Sequence, residues 1–265
     1  MRKLSLLFFL PVFLAALPVR AAASLDPAVS ARVLTIAAQR AEAERLVRAY
    51  CQVGLNVNAA AARVDLAEAI AGFESGLEHI RQITPSAGPQ AAAVGALERH
   101  WRDMHAILVE PPTARSALRL AHASDAALAA MSRLESLGKF ANGGAGDIAV
   151  LLVRQDELAQ RMAALYLMRS MLAQPAPGQD ELERTRKALI ANLGALEQQM
   201  TFDPRMHDVL DRMTVQLDWL QAAVEGEGVR TYPLVVADAA EGVREASFRL
   251  GQLVRRGSSV PPLSD

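Results

Sequence analysis

The segment Ala59–Ile83, AAAARVDLAEAIAGFESGLEHIRQI, carries the pattern that decides the fold. Its large apolar residues recur at steps of three and four along the chain: Leu66, Ile70, Phe73, Leu77 and Ile80. That spacing places them on one stripe of an α-helix, which is the side that neighbouring helices cover in a folded protein. Residues 180–200 repeat the pattern. We therefore predict amphipathic helices packed against one another.

Proline, glycine, asparagine and capping residues divide the chain into eight segments of this kind at nearly even spacing. The predicted helices cover about 27–53, 59–83, 90–109, 114–140, 148–172, 181–200, 204–224 and 233–256. Long helices joined by short turns form antiparallel four-helix bundles. The sequence therefore predicts an all-α protein of two tandem antiparallel four-helix bundles, 25–140 and 145–257, separated by the glycine-rich stretch 142–146. The Ser- and Pro-rich tail 258–265 is predicted to be unstructured.

The two halves resemble each other in sequence. Residues 45–50 (RLVRAY) align with residues 161–166 (RMAALY) at an offset of 116. Trp101 of the third predicted helix aligns with Trp219 of the seventh at an offset of 118. We interpret the chain as two copies of one helical module.

Residues 1–23 have the order of a secretory signal peptide. Arg2 and Lys3 precede an apolar run over 4–19, and small residues follow at 21–23. The run contains two prolines and is shorter than the roughly 20 residues that span a bilayer. We predict that the peptide is cleaved and that the mature protein is periplasmic.

Composition narrows the classes of function. The formal net charge of -1 gives no sign of a nucleic-acid partner. The single cysteine, Cys51, excludes a disulfide framework and a Cys-built metal site, and we expect it to be buried in the first helix. Neither a nucleophile–base pair nor histidines at metal-binding spacing stand out. We therefore predict a protein that is not an enzyme and that has no metal or other cofactor.

Arginines on the first helix of each half are the candidate functional groups. At about 100° per residue, Arg40 falls on the apolar stripe, where an unpaired cation is costly. Glu44, one turn later, is one candidate partner, and a bound anion is the other, because the guanidinium fork suits oxyanions. Arg45 lies nearer the border of the stripe, and Arg154 and Arg161 belong to a similar polar cluster in the second half. Internal salt bridges and an anion site both stay open at this point.

Two segments resemble a known signature helix: residues 37–46 (AAQRAEAERL) and 153–162 (VRQDELAQRM). They look like that of the PilJ-type domain, the N-terminal periplasmic domain of type IV pilus methyl-accepting chemotaxis transducers. They are also similar to the sensor domain of nitrate-responsive NarX-type histidine kinases. In the nitrate sensors two arginines, five residues apart, come from both subunits of a dimer and hold one nitrate. By position these arginines fall on Arg40 and Arg45 in the first half, and on Asp156 and Arg161 in the second.

The resemblance implies a periplasmic, non-enzymatic sensory or ligand-binding accessory protein that binds a small oxyanion, nitrate or nitrite. The implied anion-binding residues are Arg40, Arg45, Arg154 and Arg161, gathered either in a homodimer or in a pseudo-dimer of the two modules within one chain. The alternative is a protein–protein interaction module linked to type IV pili or chemoreceptors, with a membrane sensor as partner and no small ligand. If Arg45 and Arg161 face each other across a cavity, the ligand is favoured. If carboxylates cap them, the interaction module is favoured.

Overall fold

The computed structural model describes residues 27–137, 148–172, 178–199, 204–225 and 232–257. Within these ranges the chain is helical and has no strand, which confirms the predicted all-α fold. The helices are α1 (Pro27–Gly54), α2 (Ala59–Ile83), α3 (Pro89–Leu108), α4 (Ala114–Leu137), α5 (Ile148–Leu172), α6 (Gln179–Gln199), α7 (Pro204–Glu225) and α8 (Pro233–Gly257). The predicted signal peptide at 1–23, the glycine-rich stretch 142–146 and the tail 258–265 lie outside the described residues. In the part of the chain that is described, none of the helices is long and apolar enough to cross a membrane.

Local chemistry accounts for the helix ends. Asn56 and Asn58, with φ of 56° and 46°, make the tight turn between α1 and α2 in the left-handed region that asparagine tolerates. Thr113 precedes α4 and caps it, because its Oγ1 accepts a hydrogen bond from the Ser116 backbone N–H at 3.1 Å. The sequence places Asp180 as the cap of α6, and this is wrong: Asp180 lies inside the first turn, and the Gly178 carbonyl accepts the first helical hydrogen bond.

Each set of four helices surrounds a hydrophobic core, and Ala164, Leu167 and Met168 of α5 also belong to the first core. In the first set, Phe73 of α2 and Trp101 of α3 stack with ring centroids 4.5 Å apart. In the second set, Leu189 of α6 and Leu217 of α7 occupy the corresponding places, 116 residues further on. The two predicted bundles are therefore built alike, with an aromatic pair in one and a leucine pair in the other.

An offset of 116 residues relates the polar contacts of the two bundles as well. Gln39 Nε2 donates to the Phe73 carbonyl at 2.8 Å, and Gln155 Nε2 donates to the Leu189 carbonyl at 3.4 Å. Buried positions of α3 and α4 recur at the same offset in α7 and α8. The predicted duplication thus applies to all four helices without insertion or deletion between equivalent positions.

The alignment of Trp101 with Trp219 was wrong. Trp101 is buried in the first core, whereas the Trp219 side chain is 59% exposed on α7. Leu217, two residues earlier, is the buried counterpart at the common offset of 116. Matching the two tryptophans gave an offset of 118, but equivalent positions in packed helices are those whose side chains reach the core.

The two bundles meet along α1 and α5, which make the most extensive helix–helix contact among the described helices. Arg40 contacts Glu157, Glu44 contacts Arg161, and Gly54 lies against Met171. Each of these pairs is separated by 117 residues, so the contacts advance in the same direction on both helices. Consequently α1 and α5 run parallel, and a pseudo-twofold axis between them relates one bundle to the other. We call this contact the α1–α5 seam.

Candidate functional site

One side of the seam, facing α4 and α6, holds two ion pairs between the bundles. Arg40 donates through Nε and Nη2 to Glu157 Oε1, at 3.1 and 2.8 Å. Its Nη1 donates to Ser132 Oγ on α4 at 2.7 Å. The predicted need for a partner at Arg40 is therefore met, but the predicted partner, Glu44, was wrong. The carboxylate that pairs with Arg40 comes from the other bundle.

Glu44 pairs instead with Arg161 across the seam. The carboxyl group is almost fully buried, with 4% of the residue exposed, and burial raises its pKa to about 7 against the opposing effect of Arg161. Arg161 has two further carboxylate neighbours, Glu181 on α6 at 2.9 Å and Asp125 on α4 at 3.4 Å. The guanidinium is thus surrounded by acids of the same chain.

Arg45 lies on the opposite side of the seam, which faces α2 and α8. Its Nε donates to Asp65 Oδ1 at 2.7 Å, and its Nη atoms contact Glu42 at 3.3 Å and Glu68 at 3.1 Å. The arrangement repeats that of the second bundle, because Arg161 and Glu181 are each 116 residues after Arg45 and Asp65. This arginine–carboxylate pair between the first and second helices is a common feature of both modules.

The four predicted arginines are therefore not gathered around one point. Arg40 and Arg161 share one side of the seam, Arg45 lies on the other, and Arg154 is exposed on the surface of α5. Arg45 and Arg161 do not face each other, and both are in contact with carboxylates. The two modules contact each other within one chain along α1 and α5, and carboxylates of that chain pair with Arg40, Arg45 and Arg161.

Asp156 stands where the family resemblance places an arginine in the second module. Its Oδ1 accepts a hydrogen bond from Gln160 Nε2 at 3.0 Å. Burial raises the pKa of this carboxyl group to about 7, although the Gln160 hydrogen bond lowers it. Gln160 also donates to the Ala240 carbonyl at 3.2 Å, which ties the seam to α8.

Two clefts flank the seam and are related by the same offset. The first, about 280 Å³, opens beside Arg161, Asp125 and Glu181, and we call it the Arg161 cleft. The second, about 440 Å³, lies between α1, α2 and α8, and we call it the Arg48 cleft. The residues of the second cleft equivalent to those named in the first are Arg45, Glu241 and Asp65.

Arg48 and Gln52 are site residues that sequence reasoning missed. The Arg48 side chain is only 3% exposed, yet it lines the larger cleft. Its Nη1 donates to Gln52 Oε1 at 3.2 Å, and its Nη2 contacts Asp65. The signal was present in the repeat, because RLVRAY has arginine where RMAALY has Ala164.

Other reactive groups lie outside the ion pairs of the seam, although His122 lines the Arg161 cleft. Cys51 is buried, as predicted, and burial raises the pKa of its thiol to about 12. Four histidines are exposed: His79, His105, His122 and His207. Among the described residues, no three or more His, Cys, Asp or Glu side chains are grouped so that they could hold a metal ion.

Comparison of the chain with protein-family models, with curated proteins and with solved structures finds no match. The PilJ-type resemblance therefore stays a prediction that rests on the residues of α1 and α5.

Proposed function

We propose that this chain is a non-enzymatic periplasmic accessory protein that binds a small polar ligand, built from two PilJ-like modules paired within one chain. The observation that carries the proposal is the parallel α1–α5 seam. Because the two bundles contact each other through their first helices, α1 and α5, one cleft forms on each side of that contact, and the two clefts are equivalent. Ligand sites are concave and often lie between the helices of bundles.

The seam itself is better suited to hold the modules together than to bind nitrate. A free anion at Arg40 or Arg161 must displace Glu157 or Glu44. These carboxylates are tethered in the same chain, so their effective concentration exceeds that of any dilute ligand. The oxyanion site implied by the family resemblance is thus occupied by internal acids, and the flanking clefts are the better candidates for a ligand.

A second candidate function is an interaction module for a membrane sensor or chemoreceptor. The observation in its favour is the exposed apolar pair on α7, where Val215 and Trp219 are 50% and 59% exposed and lie one turn apart. Exposed tryptophan is typical of the residues that dominate protein–protein affinity. The carboxylate contacts of Arg45 and Arg161 also agree with this alternative.

Thermal unfolding of the mature protein distinguishes the two functions. The compounds to test are nitrate, nitrite, short carboxylates and the standard amino acids, each added alone. A ligand that binds only the folded state raises the midpoint. We expect at least one compound to raise the midpoint of thermal unfolding, and to raise it equally in the wild type and in Trp219→Ala. The interaction module is the better assignment if no compound raises the midpoint and if a membrane sensor binds to the immobilised wild-type protein but not to immobilised Trp219→Ala.

A further inference from the structure

The two flanking clefts have diverged in their polar residues, although they occupy equivalent places. Arg48, Gln52 and Arg244 line the Arg48 cleft. The residues 116 positions away from them are Ala164, Met168 and Leu128, which all belong to the core of the first bundle. Helix packing at these positions is therefore compatible with apolar side chains.

Stability does not account for the buried arginine. Removing a guanidinium from water costs several kcal/mol, and a buried ion pair often contributes no more than apolar residues of similar volume. The other module has alanine at this position and forms the same fold. A buried arginine that packing does not require is a candidate for a binding role, and Arg48 lines a cleft.

One donor of Arg48 has no acceptor. Its Nη1 bonds to Gln52 and its Nη2 contacts Asp65, but its buried Nε has no hydrogen-bond partner in the part of the chain that the structure describes. The Nη2 contact to Glu241 is long, at 3.4 Å, and Glu241 is separately held by Arg244 at 2.6 Å. A ligand carboxylate can therefore replace Glu241 on Nη2 without leaving Glu241 unpaired, and it can accept from Nε once the side chains that cover Nε move aside. Two parallel hydrogen bonds from one guanidinium to one carboxylate form a bidentate ion pair, which is stronger than a single hydrogen bond.

The charges around the cleft select the kind of carboxylate. Its three arginines are accompanied by four acids: Asp65, Glu68, Asp238 and Glu241. A plain anion meets net repulsion there. Asp238 is exposed at the cleft, and Glu68 has 63% of its side chain exposed, so both can accept from a cationic group. Groups of both signs therefore line the cleft, which favours a ligand that carries both charges.

We propose that the Arg48 cleft binds a small zwitterion of the α-amino acid class, with its carboxylate on Arg48 and its ammonium group facing Asp238. This inference rests on the proposed ligand-binding function and adds the site and the ligand class. The Arg161 cleft is not a second copy of this site, because Ala164 provides no donor there.

Calorimetric titration of the mature protein tests the proposal. The probes are the standard α-amino acids one by one, with propionate and methylamine as compounds that carry one charged end only. We expect at least one amino acid to bind, and both half-ligands to bind far more weakly. Nitrate is titrated in parallel.

Two variants locate the site. Arg48→Ala, which copies Ala164, is expected to lose about tenfold to hundredfold in affinity, the usual loss for a hydrogen bond to a charged group. Asp238→Asn removes an exposed carboxylate, so it is expected to fold and to weaken binding severalfold even if Arg48→Ala does not fold. His122→Ala is the matched control, because His122 is the equivalent of Asp238 in the Arg161 cleft, and its affinity should equal that of the wild type.

The outcomes separate this inference from the proposed function. Binding of an amino acid with unchanged affinity in Asp238→Asn and Arg48→Ala places the ligand elsewhere and overturns the site. Binding of nitrate but of no amino acid overturns the ligand class and leaves the ligand-binding function intact. Binding of no compound overturns both.

Discussion

Replacement of Arg161 by methionine tests how the two modules are held together. Glu44 is almost fully buried, and its one hydrogen-bonded cation is Arg161 among the described residues. The substitution leaves this carboxylate without a cation, which costs about 3–5 kcal/mol of unfolding free energy. Glu44→Gln removes the buried charge instead, and Arg161 keeps Glu181 and Asp125. We expect that change to stay within about 1 kcal/mol of the wild type.

Urea unfolding monitored by circular dichroism at about pH 8 measures both variants and the double variant. In the double variant the buried carboxylate is gone, so we expect most of the loss to be recovered. The coupling between the two positions should then be about 2 kcal/mol or more. Arg154→Met is the matched control, because Arg154 is exposed on the same helix, and its cost should be below about 0.5 kcal/mol.

The pH dependence gives an independent check. Burial raises the pKa of Glu44 to about 7, and loss of the cation raises it further. A protonated carboxyl group needs no cation, so the cost of Arg161→Met should shrink as the pH falls from the higher pKa of the variant to about 7, and should stay constant at lower pH, where Glu44 is protonated in both proteins. Equal costs for Arg161→Met and Glu44→Gln, additive to about 0.5 kcal/mol in the double variant, would refute the pairing across the seam.

Three further predictions concern single residues. The pKa of Asp156 is raised to about 7 in the folded state, so above about pH 5 the folded protein keeps a proton that the unfolded chain releases, and the protein loses stability as the pH rises. Asp156→Asn should therefore remove about 2.5 kcal/mol of the fall in unfolding free energy, measured with urea, between about pH 5 and pH 8. Gly76→Ala places a methyl group against the buried side-chain amide of Gln39 on α1 and should lower the thermal midpoint. Gly194→Ala, which has open space around it among the described residues, should raise the midpoint slightly. The reverse order of the two midpoints would contradict this packing. Acrylamide should quench the emission of Trp101→Phe, which retains the exposed Trp219, far more than that of Trp219→Phe, and equal quenching would show that the assigned exposures are wrong.

The helices and their bounds were predictable because they depend on local signals. Apolar spacing, proline and glycine act within a few residues, and α2 begins and ends at the predicted residues. The repeat was found from the segments at Arg45 and Arg161, whose contacts in the two modules are equivalent. Trp219 misled the alignment because one residue identity carries less information than a pattern of buried positions.

The partners of the arginines were harder to predict. The stripe position of Arg40 correctly indicated that its charge must be compensated, but Glu44 and Glu157 are equally plausible in the sequence. The choice depends on the register of α1 against α5, which is set by packing between residues more than one hundred positions apart. Arg48 was missed for a similar reason, since its burial depends on α8.

Because both halves of the seam belong to one polypeptide, their association is a first-order event. A pair of separate subunits dissociates on dilution, and its stability is inseparable from subunit concentration. The α1–α5 contact has no such dependence, so the clefts beside it stay assembled at any concentration of the protein. Assembly of the two clefts therefore depends on the folding of one polypeptide and not on the number of copies present.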